Sequence, residues 1–183
     1  MAAQSSKTTA KHKSEAPKNV RAAVITISDS KFDYMWSKNK SLEETDDVSG
    51  KYIVEQLRKK GSEVVFYTLV PDHEGIIVET IDHIVATYAP DIIITTGGTG
   101  VGSRDVTVEA VASIFEKTIE GFGELFRKIS FERLGSAALL TRAIAGVYCS
   151  VVIFSLPGSP DAVRTGMEII LREARHIVRH VRE

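Results

Sequence analysis

The feature that most constrains the fold is an apolar run that ends in closely spaced glycines, in the segment DIIITTGGTGVGSRDVT (91–107). The run from Ile92 to Ile94 has the uninterrupted hydrophobicity of a buried parallel strand. The glycines that follow can adopt positive φ and bring backbone N–H groups close to an anion; they are Gly97, Gly98, Gly100 and Gly102. The segment then enters a predicted helix near Thr107. A glycine loop between a strand end and a helix N-terminus is typical of a phosphate site.

Two common phosphate fingerprints are absent from this loop. A P-loop requires Gly-Lys-Ser/Thr where the chain has Gly102, Ser103 and Arg104. The dinucleotide fingerprint requires a third glycine where Ser103 stands. A tight turn without a ligand is the alternative interpretation, but so dense a glycine cluster after a buried strand favours a binding loop.

Length and charge restrict the class of protein. The chain has 183 residues, which predicts one globular domain over 19–183 after a disordered basic tail over 1–18. Its 23 Lys and Arg against 24 Asp and Glu give a net charge of −1, so no general attraction to nucleic acid or an anionic membrane is expected. The single Cys149 excludes an internal disulfide, and no apolar run is long enough for a signal or a membrane span. We therefore expect a cytoplasmic protein.

Strand and helix patterns alternate along the chain in the order β-α-β-α-β-α-α-β-α. Predicted strands cover 21–28, 63–70, 92–94 and 151–154, and predicted helices cover 47–60, 74–88, 107–115, 121–134 and the segment from 160 onwards. This alternation predicts an α/β fold, a three-layer α/β/α domain with a mainly parallel sheet. The segment 141–146 is interpreted as a short link, and Cys149 as a core residue.

Two segments are not explained by this pattern. The connection over 30–46 is long and aromatic, and it is interpreted as a lid, as a contact surface, or as a loop that packs on its own domain. The predicted helix over 121–134 carries a large apolar face, which indicates either a subunit interface or an ordinary core. Phe122, Leu125, Phe126, Ile129 and Phe131 form that face.

Polar residues follow several of the predicted strands. Thr26, Ser28 and Asp29 end the first strand, Asp72 follows the second, and the 96–105 loop and Ser159 follow two others. In an open α/β sheet these ends meet at one edge, where ligands bind. Two carboxylates, Asp72 and Asp105, beside a phosphate loop suit Mg²⁺, which takes oxygen ligands and would orient a transferring phosphoryl group. Each aspartate could instead cap the helix that follows it, and Asp29 could be a turn former.

Seven motifs occur in one order and resemble the MoaB/MogA family of molybdenum-cofactor biosynthesis. They are TISD (26–29), DVSG (47–50), VPD (70–72), TTGGTGVGSRDVTVEA (95–110), GFGELFRKISFERLG (121–135), TRAIAG (141–146) and LPGSP (156–160). The resemblance covers essentially everything after the tail. It implies a molybdopterin-binding α/β domain that, in active members, is a molybdopterin adenylyltransferase. In that reaction the molybdopterin phosphate attacks the α-phosphorus of Mg·ATP and pyrophosphate leaves.

The resemblance also implies site residues, partners and assembly. The family's two catalytic aspartates match Asp72 and Asp105, the pair expected above to hold the metal. Its molybdopterin and ATP contacts match residues spread over the strand ends: Thr26, Ser28, Asp47, Gly97, Gly98, Thr99, Gly100, Thr141, Ser150, Gly158 and Ser159. Relatives assemble as trimers or hexamers, and a downstream protein inserts the metal, so a homo-oligomer and such a partner are expected.

Three departures from the family pattern bear on activity. Thr141 replaces a serine common in relatives, which keeps the hydroxyl and adds a methyl group. The 30–46 connection is longer and more aromatic than in MogA members. The motif over 121–135 is closer to the MoaB branch, in which not all members are active, so a non-catalytic molybdopterin carrier is the alternative. Retention of both Asp72 and Asp105 favours the enzyme, because binding alone does not need them.

Overall fold

Strands and helices alternate through residues 19–183, the part of the chain that the computed structural model describes. The predicted tail over 1–18 lies outside the described residues. The strands are β1 (Arg21–Ile27), β2 (Glu63–Val70), β3 (Ile92–Thr96), β4 (Lys117–Thr118), β5 (Ile144–Tyr148) and β6 (Val151–Leu156). The helices are α1 (Asp29–Ser37), α2 (Val48–Lys59), α3 (Glu74–Tyr88), α4 (Thr107–Ile114), α5 (Glu120–Leu134) and α6 (Pro160–Arg182), with a 3₁₀ helix at Gly135–Leu140.

One six-stranded sheet has the order β2-β1-β3-β6-β5-β4. Its first four strands are parallel, while β5 and β4 are antiparallel to their neighbours. This arrangement confirms the predicted α/β fold with a mainly parallel sheet.

Helices cover both faces of the sheet and bury each face in a separate core. On one side, α2, α5 and α6 pack over alternate strand residues such as Val24, with Phe126 and Phe154 fully buried. On the other side, α3 and α4 pack over the intervening residues such as Ile25. Because both faces are covered, β1 and β3 have continuous apolar sequences rather than alternating ones. Among the described residues, no helix combines the length and hydrophobicity needed to cross a membrane.

Two elements differ from the sequence prediction. The first part of the 30–46 connection is the helix α1, which starts after the N-cap Ser28 and has no buried residues. Phe32, Met35 and Trp36 have helical spacing, but they span little more than one turn, which is too short a pattern to predict a helix. The predicted link over 141–146 contains the start of β5, which pairs with β6 through a turn at Cys149 and Ser150, with φ of 47° and 61°. Such two-residue hairpin turns usually carry Asn-Gly, so Cys-Ser offers no turn signal. Cys149 is exposed there, so its prediction as a core residue was wrong.

The apolar face predicted for 121–134 is divided between core and surface. Phe122 and Phe126 are buried, with the Phe122 ring against Phe154 of β6, whereas Leu125 and Phe131 are exposed. Further large apolar side chains are exposed after them, at the end of α5 and in the 3₁₀ helix. We call Phe131, Leu134, Leu139 and Leu140 the apolar patch.

Candidate functional site

A cavity of about 740 Å³ opens at the carboxyl ends of the parallel strands. Most residues that the sequence singled out line it together, as the topology requires. They are Thr26, Ser28, Asp47, Asp72, Gly97, Gly98, Thr99, Gly100, Asp105, Thr141, Gly158 and Ser159. The last of these caps α6, because its hydroxyl accepts a hydrogen bond from the Ala162 N–H.

The glycine loop is held against β1 and α4 by contacts that no larger residue permits. Gly97 has φ of +103° and a β-carbon on it would collide with the Ile27 carbonyl oxygen. Gly98 has φ of +60° and its β-carbon would collide with the Asp72 carboxylate and the Thr107 hydroxyl. The Thr107 N–H donates to the Gly98 carbonyl at 2.9 Å, which ties the loop to α4. The loop is therefore a fixed wall of the cavity.

Asp72 is positioned by a reciprocal pair of hydrogen bonds with Asp29. Its Oδ2 accepts from the Asp29 N–H at 2.8 Å, and the Asp29 Oδ1 accepts from the Asp72 N–H at 2.9 Å. The helix α3 is capped by His73, whose Nδ1 accepts from the Ile76 N–H, so Asp72 is not the cap. Burial raises the pKa of the Asp72 carboxyl, and the Asp29 and Asp105 carboxylates add to this, while the Asp29 N–H opposes it.

Asp105 does not cap a helix either. Its Oδ2 accepts from the Gly102 N–H at 2.9 Å, within the loop itself. The N-cap position of α4 belongs to Val106, which makes no side-chain cap bond. The helix-cap interpretation that the sequence left open for Asp72 and Asp105 is thus excluded for both.

The donor set around the two aspartates fits magnesium better than zinc. No group of three or more His, Cys, Asp or Glu that could hold a metal ion occurs within residues 19–183. Mg²⁺ is commonly held by one or two carboxylates together with substrate phosphates, whereas zinc needs three or four protein ligands. The buried Thr107 hydroxyl, which has no partner among the described groups, provides a further oxygen nearby.

The raised pKa of Asp72 predicts a stability change on neutralising it. The pKa of Asp72 in the folded protein lies above its ordinary value of 3.8, so protonation of Asp72 favours the folded state. That contribution to stability is fully present below pH 3.8 and is lost as the pH rises through the pKa of the folded protein. Asp72→Asn, whose amide oxygen can still accept from Asp29, should therefore unfold at higher urea concentration than wild type at pH 7. After solvent screening the gain should be below about 1 kcal/mol. The difference in unfolding free energy between the variant and wild type should narrow as the pH approaches 4. An equal difference at pH 7 and pH 4 would contradict a raised pKa for Asp72.

A buried carboxylate network forms another wall of the cavity. Asp47 is fully buried and caps α2, its Oδ1 accepting from the Gly50 N–H at 3.0 Å. Its Oδ2 accepts from the Thr26 hydroxyl and the Tyr67 hydroxyl, each at 2.5 Å. Burial, together with the Asp47 hydrogen bond, raises the pKa of Tyr67. Tyr67 was not predicted from sequence, because it is one of several aromatic residues in β2.

Tyr67→Phe should lower the free energy of unfolding by about 1–3 kcal/mol, since it leaves the buried Asp47 carboxylate one donor short. Urea unfolding at pH 7 would measure the change. Tyr148→Phe is the matched control, because Tyr148 also donates to an aspartate, Asp82, at 2.7 Å, but at the exposed surface. Equal losses from the two substitutions would contradict a special role for the buried network.

Arg142, which the sequence analysis did not select, braces the glycine loop. Its Nε donates to the Thr99 carbonyl at 3.0 Å, and its other two nitrogens bind the Glu109 carboxylate at 2.6 and 3.0 Å. The arginine lowers the pKa of Glu109 in return. Lys31, Arg133 and Arg164 line the cavity itself, whereas Arg142 lies behind the loop. These four basic residues could not be selected from sequence, because a basic residue on a loop or helix is more often a solvated surface residue than a site residue.

Two of the predicted site residues do not line the cavity. Asp29 acts through its bonds to Asp72 rather than as a lining residue. Ser150 precedes β6, whereas the cavity lies beyond its other end, at Pro157. A six-residue strand spans roughly 20 Å. The structure therefore does not bring Ser150 into this site.

The glycine loop, the two carboxylates and their place at the sheet edge are typical of one class of protein, the α/β proteins that bind a phosphate-bearing ligand at the carboxyl ends of their strands. Comparison with known proteins gives the family. The chain belongs to the family described as "probable molybdopterin binding domain", whose model matches residues 23–176.

Individual relatives match over nearly their full length. The chain is 44% identical over 166 residues to "Probable molybdopterin adenylyltransferase" of Methanocaldococcus jannaschii, covering 91% of this chain and 96% of the relative. It is 43% identical to "Molybdopterin adenylyltransferase" of Pyrococcus furiosus, covering 94% and 97%. The crystal structure of the tungsten cofactor synthesizing protein MoaB from Pyrococcus furiosus matches with a TM-score of 0.79 at 41% identity, covering 92% and 100%.

Proposed function

We propose that this protein is a cytoplasmic molybdopterin adenylyltransferase that acts in molybdenum cofactor biosynthesis. It transfers AMP from Mg·ATP to the phosphate of molybdopterin. The observation that carries the proposal is the placement of Asp72 and Asp105 on one cavity with the glycine loop, neither of them serving as a helix cap. Relatives named for this activity are 43–44% identical to the chain, which supports the same assignment.

The proposed reaction balances as a nucleotidyl transfer. An oxygen of the molybdopterin phosphate attacks the α-phosphorus of ATP, and the bond from that phosphorus to the bridging oxygen breaks. Pyrophosphate leaves with the electron pair. Bound Mg²⁺ would neutralise charge on the phosphates, and Asp72 and Asp105 would hold it. The N–H groups of the glycine loop would orient the phosphates, and Arg142 and Thr107 fix that loop in place.

Pyrophosphate release by the purified protein tests the proposal. With Mg·ATP, release should require molybdopterin and should cease when the divalent cation is chelated. If molybdopterin binds but no pyrophosphate appears, the protein is a carrier rather than an enzyme, which is the alternative that the MoaB-branch resemblance suggests. If the protein is an enzyme, its product, adenylylated molybdopterin, would pass to a protein that inserts the metal.

We further propose a homo-oligomer, a trimer or a dimer of trimers, whose contact includes Phe131 and Leu139 of the apolar patch, since Leu134 and Leu140 line the cavity. Leu139 is 86% exposed and Phe131 is 63% exposed in the single chain. Exposed apolar surface of this kind commonly marks a subunit contact.

Leu139→Glu should convert the assembly to a species near the chain mass of 20.1 kDa, because it places a charge inside the proposed contact. Size-exclusion chromatography with light scattering measures this directly. Ile76→Glu on α3, an exposed position outside the apolar patch, should leave the assembly intact. A monomeric wild-type protein would contradict the proposal.

A further inference from the structure

Thr107 is a buried residue whose hydroxyl has no hydrogen-bond partner among residues 19–183. It is the first residue of α4 and is fully buried. Among the described residues, its Oγ1 is the one buried side-chain oxygen or nitrogen that makes no hydrogen bond. Buried hydroxyls are nearly always hydrogen-bonded, so the missing partner calls for an explanation.

The usual solution for a helical threonine is not open to Thr107. In this chain Thr80 and Thr165 donate to the carbonyl four residues earlier, at 2.6 and 3.0 Å. Thr107 begins its helix, so no helical carbonyl lies one turn before it. Its backbone N–H is already bonded to Gly98. The Thr107 hydroxyl therefore has no hydrogen-bond acceptor within its own helix.

The surroundings of this hydroxyl indicate the charge of its missing partner. A β-carbon added to Gly98 would collide with both the Thr107 Oγ1 and the Asp72 Oδ1, so these two oxygens border the same small space. The Asp105 carboxylate raises the pKa of Asp72, and its effect exceeds that of the Arg104 guanidinium, which lowers this pKa. Two carboxylates attract a cation and repel an anion, so a cation fits this position better than a phosphate oxygen.

We propose that the Thr107 hydroxyl is an oxygen ligand of the divalent cation, in addition to Asp72 and Asp105. The inference rests on the proposed function, which supplies the cation. A neutral hydroxyl beside carboxylates belongs to the hard oxygen set that Mg²⁺ prefers. The assignment gives this buried hydroxyl a partner that no group within residues 19–183 supplies.

Binding of Mn²⁺, followed by electron paramagnetic resonance of the free ion in the presence of a non-hydrolysable ATP analogue, tests the inference. Thr107→Val removes only the hydroxyl, and it should weaken Mn²⁺ binding about tenfold or more. Thr107→Ser keeps the hydroxyl and should bind within about twofold of wild type. Raising the Mg²⁺ concentration should restore turnover in Thr107→Val if the wild type is active.

Thermal unfolding of the ligand-free variants separates a metal role from a packing role. Thr107→Val removes an unpaired polar atom without changing shape, so its midpoint should equal or exceed that of wild type. A midpoint several degrees lower would mean that the hydroxyl has a partner within the protein, and the inference would be wrong. Wild-type Mn²⁺ affinity in Thr107→Val, or an equal loss in Thr107→Ser, would also overturn it.

The outcomes distinguish this inference from the proposed function. If Mn²⁺ binding depends on the Thr107 hydroxyl but wild type releases no pyrophosphate, the adenylyl transfer is wrong and the ligand assignment stands. If wild type releases pyrophosphate and Thr107→Val binds Mn²⁺ normally, the transfer stands and the ligand assignment is wrong. Absence of Mn²⁺ binding by wild type would overturn the inference.

Discussion

Asp105→Asn should reduce kcat/KM for molybdopterin-dependent pyrophosphate release by roughly a hundred- to a thousand-fold, while the protein remains folded. The substitution removes one of two carboxylates proposed to hold the cation, a loss comparable to removing a group that stabilises charge in a transition state. The fold should tolerate it because, within residues 19–183, the Asp105 side chain accepts a hydrogen bond only from the Gly102 N–H, and an asparagine oxygen can accept the same bond. Steady-state kinetics together with urea unfolding would check both parts.

Asp161→Asn provides the matched control for loss of charge. Asp161 lines the same cavity but lies at the start of α6, where it pairs with Arg164 at 2.7 Å. Within residues 19–183, Asp161 makes no hydrogen bond to the glycine loop or to the two aspartates, so turnover should change little. Wild-type turnover in Asp105→Asn would show that this carboxylate has no catalytic role. Equal losses in the two variants would indicate that the net charge of the cavity, rather than a specific ligand, matters.

The parts of the fold that sequence analysis predicted are those determined by local chemistry or by burial on both faces. The predicted strand over 92–94 lies within β3, which is buried throughout. Ser159 and Pro160 were predicted to start the last helix, and they do so as N-cap and first helical residue. Caps involve residues two or three positions apart, so a short stretch of sequence contains the whole signal.

The elements that were missed depend on tertiary contacts. The helix α1 lies on the surface without a buried stripe, and β5 is defined by its antiparallel pairing with β6. The choice between helix cap and ligand for Asp72 and Asp105 also required coordinates. A cap is recognised in sequence as a polar residue before a helix, and in this chain His73 and Val106 occupy those positions.

Contacts between site residues that are far apart in sequence could not be predicted either. Tyr67 on β2 donates to Asp47, which lies 20 residues earlier as the N-cap of α2, and Arg142 donates to Thr99 across 43 residues. Thr107 lies in a motif that drew attention for its aspartate, yet its missing partner is visible only once burial and hydrogen bonds are known. The sequence therefore predicted the sheet edge at which the site lies, but not the hydrogen bonds that hold the surrounding residues in place.

Gly97→Ala should lower the free energy of unfolding by about 2–6 kcal/mol and abolish ligand binding in the fraction that folds. The φ of +103° is a conformation that residues with a β-carbon rarely adopt, at a cost of about 1–3 kcal/mol. The new methyl group would also collide with the Ile27 carbonyl oxygen, a backbone atom of β1, and overpacking of this kind costs about 1–3 kcal/mol. Because a domain of this size is stable by only about 5–15 kcal/mol, much of that stability would be lost.

Gly61→Ala separates the two causes, since Gly61 has a φ of +78° but nothing within 4 Å of its added β-carbon. It should cost only about 1–2 kcal/mol, the backbone part of the effect. Urea unfolding of both variants, with isothermal titration of Mg·ATP into each, would measure stability and binding together. If Gly97→Ala cost no more than Gly61→Ala and still bound ATP, the loop would be able to move away from β1, and its proposed role as a rigid phosphate cradle would be wrong.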